Sequence, residues 1–282
     1  MDATTVAFQE SRLTVHGAVA EFSHQRPQAR NPISMALRDD YDRMLRIVAA
    51  DRSLRALIIT GSGGSFCAGG DVKDMADRLH DSDPARNSPE ATRRRLGDIH
   101  RWLTPLHEID IPVIAAVDGA AMGAGFALAL QADFVLASTR ARFGMSFARI
   151  GAVPDMGALH ALPRIVGLAR AKELMITGRR VDAAEAKALG IVLEVHAPEA
   201  LADAAHAFAR RLAAAPREAT AMTRKLLNRS FETDYLTMAE LETYAQAIAM
   251  ATPYHAEAAA RIARGEPPPF DWDRERNLNP PR

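Results

Sequence analysis

The sequence predicts an α/β fold, and three observations predict it. Two short apolar runs of strand character, residues 55–60 and 112–117, each pass through a glycine-bearing turn into a helical pattern. Strands that alternate with helices in this way point to α/β rather than all-α architecture. From about Pro154 onward the pattern becomes almost wholly helical. The chain of 282 residues is 48% hydrophobic, enough for one large domain, or one domain with an appendage, around an ample core.

Residues 5–10 and 17–23 read as an opening β-hairpin, and Arg26–Asn31 as a turn. Asn31-Pro32 then introduces an amphipathic helix over about Ser34–Ala50. Strand Arg55–Thr60 leads into a glycine-rich stretch, Gly61–Gly70, with a helix from about Asp71. Residues 77–97 are charged and broken by Pro84 and Pro89, which predicts a mobile loop before a helix over about 90–108. Strand 112–117, a helix over 121–131 and a short strand 133–137 follow. Beyond them the expected helices are Gly157–Val166, Ala169–Thr177, Ala183–Leu189, Pro198–Ala214, Pro216–Asn228, Tyr235–Met250 and Pro253–Arg264. The proline- and charge-rich tail GEPPPFDWDRERNLNPPR is expected to be extended. The change in character places a boundary near 195, with an α/β core over 1–195 and a helical segment and tail over 196–282.

Composition excludes several function classes. Lys+Arg and Asp+Glu both number 35, so no global field points to nucleic acid or to a membrane surface. The apolar runs are far short of a membrane span. Cys67 is the single cysteine, which rules out an intramolecular disulfide and a CxxC metal site and suits a reducing compartment. MDATTVAFQESRLTV has neither a basic n-region nor an apolar h-region, so no signal peptide is expected and the cytoplasm is the expected location. No metal site is expected.

The chemistry is concentrated in two glycine loops, GGSFCAGGD at Gly63–Asp71 and AAVDGAAMGAGFALAL at Ala115–Leu130. Small side chains at Ala121, Gly123, Ala124 and Gly125 let another group approach the backbone closely. The first N–H groups of a helix lack intrahelical partners and sit at the positive end of its dipole. Such a place suits an anion or a developing oxyanion, although most glycine-bearing junctions are only tight turns. Nucleotide motifs do not fit. Leu128 stands where the third glycine of a dinucleotide fingerprint belongs, and Gly70-Asp71 where a P-loop needs Lys-Ser/Thr.

Phe66-Cys67-Ala68-Gly69-Gly70-Asp71-Val72-Lys73 resembles the F-x-A-G-x-D-[LIV]-K signature of the enoyl-CoA hydratase/isomerase (crotonase) family. Ile111–Gly125, IPVIAAVDGAAMGAG, resembles that family's second motif, KPVIAAVNGxAxGxG. Further matches at Ala132-Asp133, Phe143-Gly144, Leu174–Gly178 and Ala183–Gly190 extend the similarity over about residues 5–270. The resemblance implies a spiral of ββα turns with a C-terminal helical segment that builds trimers or pairs of trimers. It also implies an acyl-CoA thioester substrate, with coenzyme A as part of the substrate and no separate cofactor.

By the same resemblance, the thioester carbonyl would lie between the backbone amides of Ala68 and Ala124. Cys67, Gly69, Gly70, Asp71, Val72, Gly123 and Phe147 would line the substrate. Fixed amides meet the charge of an enolate without reorganising. The chain departs from the family's hydratases at both of their glutamates, which fall at Ala127 and Phe147. Neither residue moves a proton.

The nearest carboxylate, Asp155 in IGAVPDMG, resembles the acid–base Asp of dienoyl-CoA and oxepin-CoA-type enoyl-CoA isomerases. One carboxylate suffices for a 1,3-proton shift. An apolar setting from Phe147, Val153 and Met156 would raise its pKa. The competing reading is a helix cap after Pro154.

Other candidates carry plain structural readings beside their functional ones. Asp71 supports its loop, and Cys67 is a small buried hydrophobe. His160 is an ordinary histidine, and Arg93-Arg94-Arg95 form a solvated helix face. Arg26, Arg30 and Lys73 are candidates for coenzyme A phosphates. Phe270 resembles an aromatic near the coenzyme A pocket, core packing being its alternative. An isomerase is therefore the first expectation. A hydratase, lyase or hydrolase of the same family, or a non-catalytic acyl-CoA binder, is the alternative.

Overall fold

The computed structural model describes residues 3–83 and 85–278. Met1, Asp2, Pro84 and residues 279–282 lie outside the described residues. The chain opens with β1 (Thr4–Ala7), β2 (Ser11–His16) and β3 (Val19–His24), an antiparallel meander. The expected two-strand hairpin therefore has three strands, because residues 8–10 turn the chain where a continuous strand was expected. Helix α1 (Met35–Ala50) starts where Ser34 accepts the Leu37 N–H on its hydroxyl, a cap that satisfies one orphan donor. Strand β4 (Ala56–Gly61) and helices α2 (Val72–Leu79) and α3 (Pro89–Glu108) follow. The expected helix over about 90–108 is α3, and it takes in the last residues of the expected loop because Ser88 caps it and Pro89 suits its first turn.

Strand β5 (Val113–Val117) passes to β6 (Ala120–Met122) and helix α4 (Ala124–Ala129). Helix α4 starts later than expected because residues 120–122 pair in a second sheet. Next come β7 (Phe134–Ser138), β8 (Arg142–Gly144), α5 (Ala158–Val166), α6 (Leu168–Thr177), β9 (Arg180–Asp182), α7 (Ala183–Ala188) and β10 (Glu194–His196). Five helices close the chain: α8 (Leu201–Ala213), α9 (Arg217–Asn228), α10 (Tyr235–Met250), α11 (Pro253–Ala263) and α12 (Trp272–Leu278). Residues 272–278 of the tail are therefore helical where the sequence suggested an extended run, and its last four residues lie outside the described ones; Asp271 accepts the Asp273 and Arg274 N–H groups and starts that turn.

The main sheet has the order β1-β2-β3-β4-β5-β7-β10, parallel from β3 onward. A second sheet, β6-β8-β9, stands beside it. Its three-residue strands were too short to show a period of two. Alternation along β4 and β5 divides the core. Leu57, Ile59, Val113, Ala115 and Val117 face one apolar cluster, with Tyr41 of α1 and Trp102 of α3. Ala56, Ile58, Ile114 and Ala116 face the other, covered by Leu201, Ala205, Phe208 and Ala209 of α8. Helix α12 adds Trp272 against Phe208, with the Arg211 guanidinium 4.4 Å from the Trp272 ring centre. Arg224 ties α9 to the core. Its guanidinium meets Asp133 at 2.7 Å and the carbonyls of His107 and Ile109 at 2.8 Å each. Helices α10 and α11 bury no residue among those described. Among the described residues, no helix is long and apolar enough to cross a membrane.

Candidate active site

The two glycine loops meet backbone to backbone. A Cβ on Gly125 would stand 2.2 Å from the Cys67 carbonyl oxygen, and one on Gly119 would stand 2.0 Å from that of Gly64. A Cβ on Gly69, whose φ is +105°, would stand 2.8 Å from the Met122 carbonyl. Each approach is closer than any side chain tolerates, so glycine is required there. Short bridges, Cys67 with Ala121 and Ile33 with Gly70, fix the register of the loop against β6 and the start of α1. Below it, buried His24 bonds the Phe66 carbonyl at 3.0 Å and the Tyr41 hydroxyl at 2.8 Å. Burial pushes its pKa down to about 4, which keeps the imidazole neutral. Asn31, held at φ +53°, donates to the carbonyls of Ser62 and Ser65 at 2.9 and 2.6 Å.

The amides at this junction differ from the expectation in one respect. The Ala68 N–H donates to the Arg30 carbonyl at 2.9 Å. It is engaged within the fold, and a second acceptor would have to displace that bond. The Gly70 N–H, two residues on, donates to no acceptor among the described residues. Left-handed Gly69 breaks the strand geometry between them and re-aims the chain. Ala124 opens α4, so its N–H has no intrahelical acceptor. The ideal Cβ position on Gly69, the residue before Gly70, is 3.7 Å from the Ala124 nitrogen. Gly70 and Ala124, rather than Ala68 and Ala124, present free donors.

Asp155 follows Pro154 on the approach to α5 and is half-buried. Its carboxylate does not cap that helix. The N-cap is left-handed Gly157, which has no side-chain cap bond, and the Ala158 N–H donates to the backbone carbonyl of Asp155. Oδ1 of Asp155 is buried without a hydrogen-bond partner among the described residues. Burial raises the carboxyl pKa above its usual range, while Arg38, the residue's own N–H and His100 pull the other way. The next residue, Met156, is a non-glycine at φ +53°, a conformation that costs of order 1–3 kcal/mol unless its surroundings impose it. Gln131, just past α4, donates to the Met156 carbonyl at 3.1 Å and so holds this turn. Met156 and Phe147 are buried, but Val153 is 74% exposed and lends the carboxylate no apolar cover.

The positions of the two hydratase glutamates, Ala127 and Phe147, are both buried. Gly123 abuts Ser146, 3.1 Å from the Cβ it lacks, with the Phe147 ring at 3.9 Å. Asp71 caps α2, accepting the Lys73 N–H at 3.2 Å, and pairs with Arg26 at 3.1 Å. Arg26 also pairs with Glu10 at 3.0 Å, which commits it to the fold. Burial pushes the Cys67 thiol up to about 12, so it is no nucleophile at neutral pH. Val72 is exposed at the start of α2, Arg30 lies in the left-handed region at φ +61°, and Phe270 is half-buried between α11 and α12. His160 pairs with Glu232. Arg93 and Arg94 form surface pairs with Glu90, but Arg95 is half-buried and donates to the Arg86 carbonyl at 2.9 Å.

Sequence reasoning missed Arg38. It sits on the half-buried face of α1, close enough to Asp155 for each to influence the other's ionisation. No motif carries it, and only the packing of α1 beside α2 and the Asp155 loop brings it to Asp155. Among the described residues, His16, Glu21 and His206 also bring ligand-type atoms within 4.8 Å of one another. Glu21 and His206 already bond at 2.6 Å, a contact that lowers the Glu21 pKa and straps β3 to α8.

The sequence profile described as "Enoyl-CoA hydratase/isomerase" matches residues 14–262. The chain belongs to the enoyl-CoA hydratase/isomerase family. It is 34% identical over 235 residues to a "Probable enoyl-CoA hydratase" of Rhizobium meliloti (strain 1021), covering 83% of this chain and 86% of that protein. It is also 34% identical over 255 residues to the "1,2-epoxyphenylacetyl-CoA isomerase" of Escherichia coli (strain K12), covering 90% and 95%. The crystal structure of an enoyl-CoA hydratase/isomerase from Cupriavidus metallidurans CH34 superposes with a TM-score of 0.88 at 41% identity, covering 94% of this chain and 97% of that one. The fold is thus the crotonase fold, and the protein is an enzyme family member whose relatives carry both hydratase and isomerase names.

Proposed function

We propose that this enoyl-CoA hydratase/isomerase family member shifts the double bond of an enoyl-CoA, with Asp155 as the proton shuttle. The observation that carries this reading is the Asp155 carboxylate: half-buried, raised in pKa, with Oδ1 unpartnered and no capping duty. The substrate thioester oxygen accepts from the Gly70 and Ala124 N–H groups. Asp155 removes a proton from C2 of a 3-enoyl-CoA, and negative charge spreads through the dienolate onto that oxygen. The protonated Asp155 then returns the proton at C4, giving the 2-enoyl-CoA. No atom is gained or lost. A raised pKa suits both halves of the cycle, because the same group must serve as base and then as acid near neutral pH. Each amide donor is worth about 10²–10³ in rate.

Hydration by paired carboxylates is disfavoured, since Ala127 and Phe147 stand at both glutamate positions. Coenzyme A enters as part of the substrate, and no separate cofactor is required. We propose a homotrimer or a dimer of trimers, supported by the exposed apolar side chains of the C-terminal segment, among them Phe231, Tyr235, Leu236 and Ile248. The segment beyond residue 195 supplies that surface, apart from α8 and α12, which pack on the sheet side. A lone buried thiol suits a reducing compartment, and the cytoplasm is the proposed location.

The test is product analysis with 3-hexenoyl-CoA and crotonyl-CoA in D₂O. Isomerisation with deuterium in the product, lost in Asp155→Asn, supports the proposal. Hydration of crotonyl-CoA at a comparable rate in both proteins overturns it in favour of a hydratase that uses another acid.

A further inference from the structure

Arg38 presents a charge that the fold does not neutralise. Its Nε is buried without a partner, and its Nη1 reaches only the Arg95 carbonyl, at 3.4 Å. It makes no contact-distance ion pair among the described residues, and burial is the largest influence on it, lowering its pKa. Two more guanidiniums, Arg78 of α2 and Arg95 of α3, stand close enough to repel it. Arg78 is paired with Asp74, whereas Arg95 is held by neutral oxygens, the Arg86 carbonyl and the Thr92 hydroxyl. Three cations, Arg38, Arg78 and Arg95, thus share a neighbourhood with two carboxylates, Asp74 and Asp155. A buried guanidinium N–H without a partner is costly, and the planar fork matches a carboxylate.

Position gives this charge a purpose. Met75 of α2 covers Gly70, its methyl 2.4 Å from where a Cβ would stand, and Asp74 and Arg78 flank it on the same helix. Arg38 is coupled both to these α2 residues and to Asp155. It therefore stands near both α2, whose Met75 covers Gly70, and the Asp155 carboxylate. If Arg38 served only as the counter-ion of Asp155, the two would meet in an ion pair, yet each keeps a buried polar atom open to a third group.

We infer that the acyl chain accepted at this site ends in a carboxylate held by Arg38, so that the substrate class is coenzyme A half-thioesters of dicarboxylic acids. This rests on the reading of the Gly70–Ala124–Asp155 region as the acyl site. It does not depend on the reaction performed there. The carboxylate takes the two-pronged bond that Arg38 lacks within the fold, while Arg95 adds positive potential behind it.

The experiment measures binding of saturated, unreactive thioesters of equal chain length, adipyl-CoA and hexanoyl-CoA, with 6-hydroxyhexanoyl-CoA as the neutral polar control. The proteins are wild type, Arg38→Met and Arg38→Lys, each checked for wild-type thermal unfolding. Wild type is expected to bind adipyl-CoA about tenfold or more tightly than either other ligand. Arg38→Met abolishes that preference, and Arg38→Lys restores part of it. Equal or weaker binding of adipyl-CoA by wild type overturns the inference, as does an equal loss for all ligands in Arg38→Met. Tight binding of the hydroxy ligand alone overturns it in favour of a neutral polar chain end. No turnover is read, so failure of the isomerase proposal appears only in the product analysis and failure of this inference only here.

Discussion

Gly125→Ala is the sharpest probe of how the site is assembled. The added methyl would stand 2.2 Å from the Cys67 carbonyl oxygen, 2.8 Å from its Cβ and 2.9 Å from its carbonyl carbon. Two of these three atoms are backbone, so no rotamer change relieves the overlap. An ordinary carbon–oxygen contact requires the two loops to part by about 1 Å, and a misplacement of that size costs about 10²-fold in rate. Overpacking of this kind costs about 1–3 kcal/mol, which for a chain of this size lowers Tm by about 2–4 °C per kcal/mol. The assay pairs thermal unfolding with turnover of 3-hexenoyl-CoA. The control is Gly97→Ala, where a Cβ meets nothing within 4 Å in the middle of α3. It is expected to leave turnover intact and add about 0.5–1 kcal/mol through lower backbone entropy. If Gly125→Ala keeps both wild-type Tm and turnover, the backbone contact between the loops is not what aligns the amides.

Three further outcomes are expected. Asp155→Asn removes a carboxylate whose folded pKa lies above its unfolded value. In the wild type that group destabilises the fold as pH rises through the raised pKa, so the variant should match or exceed wild-type Tm near pH 8 and lose that advantage near pH 4. The depressed pKa of His24, about 4 against 6.5, works in the opposite sense. Its contribution is present above pH 6.5 and is lost as pH falls towards 4, so His24→Gln should flatten the acid limb of the stability curve by roughly 3 kcal/mol. Arg224→Met removes the cation paired with Asp133 and a donor to the His107 and Ile109 carbonyls, and should cost about 3–5 kcal/mol, read by urea unfolding.

Much of this arrangement was legible in the sequence, for reasons that particular residues make plain. The glycine loops announced themselves because Gly119 and Gly125 stand at backbone contacts that no other residue permits. Helices α1 and α8 carried apolar stripes long enough to show a period. Strands β6, β8 and β9 did not, since three residues cannot display alternation. The donor at Gly70 was invisible for a different reason: the Ala68 N–H is consumed by the Arg30 carbonyl, a partner distant in sequence and set by a left-handed turn. Whether Asp155 caps a helix depended on where α5 begins, and that is decided by left-handed Gly157. Arg38 lay hidden in an unremarkable turn of α1 because its meaning exists only once α1, α2 and the Asp155 loop are packed together.

The central claim is that one carboxylate, Asp155, moves the proton. The most direct measurement follows 3-hexenoyl-CoA carrying deuterium at C2, converted in ordinary water by wild type and by Asp155→Asn. The shuttle requires that wild type form 2-hexenoyl-CoA with part of the label carried to C4, and that Asp155→Asn form no product and wash out no label. Product from Asp155→Asn at the wild-type rate, or C2 washout that persists in the variant, would contradict the claim and assign the proton to another group.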